Sequence, residues 1–161
     1  MAIKINIAAL GDGSQQVALI TDYKELNLDK DFVDGNINIL LDLFKTVHQL
    51  DVKVNISGLL NLECDRCLEA FEKQFSVSFE IVYVQKTLRE HEIDEDYIRT
   101  YNASMQTIDL TNDIRETVIL AVPMKKIPDE KPDGSCSWCG RTKEYWSNVI
   151  IDEDELNTNN N

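Results

Sequence analysis

Positive charge is what this chain has least of. Its 16 Lys and Arg stand against 29 Asp and Glu, a net charge of −13. A surface this acidic repels phosphate, which argues against a binder of bare nucleic acid and for basic proteins as partners. Long apolar runs are missing: none approaches the roughly 20 residues needed to span a bilayer. The opening "MAIKINIAAL" lacks the apolar core and small-residue cleavage site of a signal peptide, so a cytoplasmic protein is expected. There is no internal repeat, phosphate loop, nucleophile elbow or dinucleotide fingerprint. The two histidines, His48 and His91, have no nucleophile or partner at a recognisable spacing. Core material is not short. Apolar residues make up 43% of 161, enough for one domain over 1–150 and an acidic, Asn-rich disordered tail over 151–161.

Residues 51–64 alternate. Val52, Val54, Ile56, Leu60, Leu62 and Cys64 share one parity, polar residues the other, and Leu59 is the exception. That is a long half-buried strand, with Gly58 marking a bulge or bend. The stretch 71–83 alternates too, through Phe71, Phe75, Val77, Phe79, Ile81 and Tyr83, and Ile37, Ile39, Leu41 and Leu43 do so upstream. Links near 46–50 and 64–70 are short, so the three strands read as an antiparallel meander. Weaker strands are expected at 3–7 and 16–21, a turn at "GDGS" (11–14) and another at Asp34-Gly35. Residues 109–122 read as a helix with an apolar stripe of Leu110, Ile114, Val118, Ala121 and Val122. Asp109 is its expected N-cap and Pro123 its stop. The runs "REHEIDED" (89–96) and "DEDE" (152–155) read as solvated.

Four cysteines fall in two CxxC pairs, one in "ECDRCLEAF" at 63–71 and one in "CSWCG" at 136–140. In a reducing compartment this spacing points to metal or redox chemistry before disulfides. Zinc takes four thiolates in a tetrahedral array, and Cys64, Cys67, Cys136 and Cys139 supply four. Such a site has no open position and is structural. Arg66, Arg141 and Lys143 are candidates to offset its negative charge. The competing readings are partly buried reduced thiols and a redox pair. The redox reading is weakened because strand alternation, not a helix, follows Cys67. Arg66 fits a phosphate contact or a surface ion pair with Glu63, Asp65 or Glu69. Trp138 and Trp146 fit local packing or a protein contact better than base stacking.

The stretches "SGLLNLECDRCLEAF" (57–71), "IDLTNDIRETVILAVP" (108–123) and "CSWCG" resemble, in order and spacing, the motifs of the YceD family, the large ribosomal RNA subunit accumulation proteins. The resemblance covers roughly residues 36–140. It implies a link to accumulation or processing of 23S ribosomal RNA and no known catalysis. The positions that match are Cys64, Arg66, Cys67, Asp109, Leu110, Glu116 and Pro123. Basic residues are scattered (Lys125, Lys126, Arg141, Lys143), so the expected route is indirect, through a basic ribosomal protein or assembly factor.

The expected architecture is α+β: a β-rich antiparallel meander, one C-terminal helix and a cysteine-bearing loop that returns to the hairpin tip. The expected function is a non-enzymatic ribosome-biogenesis factor with a structural zinc and no small-molecule substrate. The rivals are a thiol redox enzyme and a zinc-stabilised protein-interaction module unrelated to ribosomes.

Overall fold

A computed structural model describes residues 2–29, 33–86, 97–102, 104–129, 131–137, 139–142 and 144–145. The chain divides into two compact units. The first is Met1–Leu60 with Gln74–Val122, and the second is Asn61–Lys73 with Pro123–Asn161. Among the described residues, no helix is long and apolar enough to cross a membrane.

The first unit is built on alternation. Strands β2 (Gly13–Asp22), β3 (Val33–Lys45), β4 (Gln49–Glu63), β5 (Ala70–Gln85) and β6 (Ile98–Tyr101) form one sheet in that order. Period two places Ile37, Ile39, Leu41 and Leu43 of β3 in the core, with Leu50, Val52, Val54, Ile56 and Leu60 of β4. Phe75, Ile81 and Tyr83 of β5 join them. The opposite face is polar: Asn55 donates to Asp42 at 3.2 Å, and Lys53 meets Glu80 at 3.0 Å. The meander expected over β3, β4 and β5 is present. What alternation did not foretell is β6, which pairs parallel to β5 from Val82↔Ile98 to Gln85↔Tyr101. The acidic run 89–96, with His91, lies outside the described residues.

Two turn readings are corrected. Asp34-Gly35 is no turn but lies inside β3, where the register slips between Asp34↔Leu59 and Asn38↔Ser57. The bulge is therefore in β3, with Gly35 at φ 73, and not at Gly58 across from it. Gly58 serves another need. A Cβ there would lie 2.8 Å from Cε1 of Phe75, so the strand must be bare for the ring to lie against it. Of the "GDGS" stretch, Gly13 and Ser14 already belong to β2.

A second, two-stranded sheet pairs β1 (Lys4–Asn6) with β7 (Thr107–Asp109), Ile5 opposite Ile108. A 3-10 turn, Ile7–Ala9, follows β1, with Asn6 capping the amides of Ala8 and Ala9. Lys45 Nζ donates to the Ile7 and Leu10 carbonyls at 3.0 and 2.8 Å. The N-terminal segment is also tied to the helix α1 (Thr111–Ala121): Ile3 donates to Thr111 Oγ1 at 2.8 Å and accepts from the Leu110 amide at 2.9 Å. Leu110, Ile114 and Val118 are fully buried, as the stripe required. Within the helix, Thr117 turns its hydroxyl back to donate to the Asp113 carbonyl at 2.7 Å.

The N-cap is Leu110, not Asp109. Asp109 acts one residue earlier, accepting from the Thr111 amide at 2.9 Å. Hydrogen bonding from Thr111 holds its carboxyl below the usual carboxylate range, with a smaller push from Lys4. Asp109→Ala is expected to cost no more than about 1 kcal/mol near neutral pH, since the carboxylate is exposed and screened. Folding depresses this pKa, so the contribution is full above the unfolded value and is lost as pH falls through the folded one. Urea melts of the two proteins should therefore converge in acid; a gap that persists there would show that the cap does not work through its charge.

Candidate metal centre

The second unit carries both cysteine pairs, and the same backbone turn presents each of them. β4 ends at Glu63, and the chain turns through 64–69 into β5. The Cys64 carbonyl accepts from the Leu68 amide, and the Cys64 amide donates to the Glu69 carbonyl, both at 2.9 Å. The second pair repeats this: the Cys136 carbonyl accepts from Gly140 and the Cys136 amide donates to Arg141, again both at 2.9 Å. The fifth residue of each turn is left-handed, Leu68 at φ 60 and Gly140 at φ 72. Glycine takes that region freely, whereas an L-side chain pays on the order of 1–2 kcal/mol. One turn recurring at both pairs is what two CxxC half-sites of a single metal centre would require.

The post-helix loop reaches the first turn through Asp65. The Asp65 amide donates to the Lys126 carbonyl at 2.8 Å, and the Lys126 amide donates back to Asp65 Oδ2 at 2.7 Å. Further along, Lys131 donates to the Ser135 carbonyl at 2.9 Å, while Asp133 accepts from the Ser135 amide and hydroxyl. This turn leads directly into Cys136.

The Sγ atoms of Cys64, Cys67 and Cys136 all lie within 4.8 Å of one another. Four thiolates around zinc stand about 3.8 Å apart, as follows from a Zn–S bond of about 2.3 Å in a tetrahedron. Cys64 and Cys136 are fully buried; Cys67 and Cys139 are half-buried. The Cys67 thiol is pushed up to about 11, first by desolvation and then by the neighbouring thiols of Cys64 and Cys139, against a lowering contact with the Glu69 backbone. Cys139, the fourth expected donor, is not in that group of three and bears on the site through its effect on the Cys67 thiol. Soft donors, their spacing and the paired turns fit a tetrahedral thiophilic ion; hard cations such as Mg²⁺ and Ca²⁺ prefer oxygen.

Arg66 is half-buried in the same unit, with its Nη1 atom withdrawn from solvent. Arg141, expected near the sulfurs, holds its guanidinium 4.7 Å over the Tyr145 ring. Lys143, Trp138, Trp146 and residues 151–161 lie outside the described residues.

Asp109 and Glu116 belong to the first unit. Glu116 is exposed on α1 and lines a shallow groove of about 160 Å³ with Tyr97, Arg99, Asp113 and Leu120. Arg99 forms a bidentate pair with Asp113, one arm at 2.9 Å, and that pair keeps the guanidinium firmly charged. The sequence did not signal this pair, because Arg99 lies in a strand that its pattern left undetected. The Asp65–Lys126 clip was equally hidden, being a backbone contact across 61 residues.

Comparison with curated proteins and with solved structures gave no match. A family model described as large ribosomal RNA subunit accumulation protein YceD matches residues 52–158, which take in most of β4, all of β5 and α1, and both cysteine turns. With most of its length inside that match, the chain belongs to the YceD family.

Proposed function

We propose that this protein is a non-enzymatic ribosome-biogenesis factor that supports accumulation of 23S ribosomal RNA through protein contacts. Its second unit is held by one structural zinc on Cys64, Cys67, Cys136 and Cys139. The observation that carries the metal is the pair of matching turns that gather the cysteines of two distant segments. The ion would supply a cross-link in place of a large apolar core, with no position left for substrate. The ribosomal role rests on family membership.

Charge supports a protein partner over RNA. At −13 the chain would pay electrostatically to approach phosphate. The candidate basic patch is thin: Lys125 is exposed, but Arg141 is engaged with Tyr145. A basic ribosomal protein or assembly factor in the cytoplasm fits this balance. The redox rival is disfavoured because Cys67 is followed by a left-handed residue and a strand, where a redox pair would open a helix.

Deleting the gene tests the function. Precursor and mature 23S ribosomal RNA and the level of large subunits are compared with the parent strain during slow growth. Loss of mature 23S RNA is expected, with restoration by the intact gene. Unchanged large-subunit levels would overturn the reading.

A further inference from the structure

The two cysteine turns share their hydrogen bonds and their left-handed fifth residue, yet only one has glycine there. Gly140 shows within this same chain which residue the turn prefers. Leu68 takes the same conformation with a branched side chain, and that side chain is 70% exposed. Neither backbone ease nor burial in the fold repays its presence. Strain kept where the fold gains nothing from it is a mark of a surface used by something else. Four carboxylates face solvent around the turn, Glu63, Asp65, Glu69 and Glu72, against exposed Lys73 and half-buried Arg66, so acid predominates.

We propose that Leu68 is the apolar anchor of a docking surface, which inserts into a recess on a basic protein segment whose Lys and Arg side chains meet Glu63, Asp65 and Glu69. This deepens the partner assignment above and rests on it for the ribosomal identity of that segment. An apolar side chain projecting from a hydrogen-bonded turn and ringed by charge has the layout of an interface with an apolar centre and a polar rim. The same carboxylates disfavour RNA and a second copy of this chain, both of which bring negative charge to the contact.

Leu68→Gly separates the two roles, because it relieves the backbone while removing the anchor. The full-length, zinc-loaded protein is immobilised and offered the proteins released by high salt from purified large ribosomal subunits. The variant should keep its zinc and an unfolding midpoint equal to the parent's or higher by about 2 °C. Its retention of the captured ribosomal protein should be weaker by about tenfold. A clearly lowered midpoint would mean that Leu68 packs within the fold, and undiminished capture would mean that it anchors nothing; either result overturns the proposal. A photo-cross-linking residue at position 68, with position 137 of the second turn as control, is then used in living cells. Cross-links from position 68 to a sequenced Lys/Arg-rich protein segment support the anchor even where gene deletion leaves 23S RNA unchanged. In that case the ribosomal reading alone falls. Cross-links to RNA, to another copy, or equally from both turns overturn the anchor.

Discussion

Cys136→Ser protein is expected to purify without metal and with its second unit unfolded, while parent protein made without chelators carries one zinc per chain. Cys136 is fully buried at the meeting point of three thiols. Serine brings a hard oxygen that zinc accepts poorly, and it leaves a hydroxyl buried. Structural zinc contributes apparent binding energies on the order of 10 kcal/mol in small domains, so loss of one ligand in four should exceed the stability of so small a unit. Elemental analysis checks the metal. Hydrogen exchange checks the fold: amides in 64–69 and 135–141 should lose protection, while the β2–β3 ladder keeps it. Treating the parent with a strong chelator should give the same pattern. Because thiolates bind the ion, uptake should release protons and weaken as pH falls, the Cys67 thiol being raised to about 11 without metal. A parent that is metal-free yet fully protected would leave the cysteines as packing residues.

Gly58→Val should be the most damaging single change in the first unit that adds atoms instead of removing them. The first added atom would already lie 2.8 Å from Cε1 and 3.1 Å from Cζ of Phe75. Phe75 is only 8% exposed, so its ring has little room to retreat. Overpacking of this kind costs about 1–3 kcal/mol, which lowers the melting midpoint by roughly 5 °C. Shrinking the ring tests the cause. In the double variant with Phe75→Leu, the valine should cost much less than it does alone, giving a coupling well beyond experimental error. Additive losses would mean that the damage comes from the backbone at residue 58 and not from the ring.

Gly58 also shows where the sequence was informative and where it stopped. An interrupted alternation at 58 is visible, but a bulge, a bend and a close ring leave the same mark on one strand. Only the pairing of Asp34 with Leu59 and Asn38 with Ser57 assigns the bulge to β3. The buried positions of β3, β4 and β5 were legible because a half-buried strand writes its orientation into every second residue. The same is true of Leu110, Ile114 and Val118 at helical spacing. β1 was legible within the strand expected at 3–7, but its partner β7 and the strand β6 were not, since runs of three or four residues are too short for a period. For the metal centre, the donor types were legible and so was the link that holds the first pair. The identity of the two turns was hidden, because Leu68 disguises a conformation that Gly140 announces.

The second unit is assembled from two segments, 61–73 and 123–161, with the later elements of the first unit encoded between them. Cys64 and Cys67 leave the ribosome first, and Cys136 follows about 70 residues later, on the order of several seconds at typical synthesis rates. Through that interval the nascent chain carries one cysteine pair without the other, while the first unit is still gaining its last strand and helix. A chain truncated before residue 136 therefore lacks the second cysteine pair, and with it half of the donors proposed for the ion.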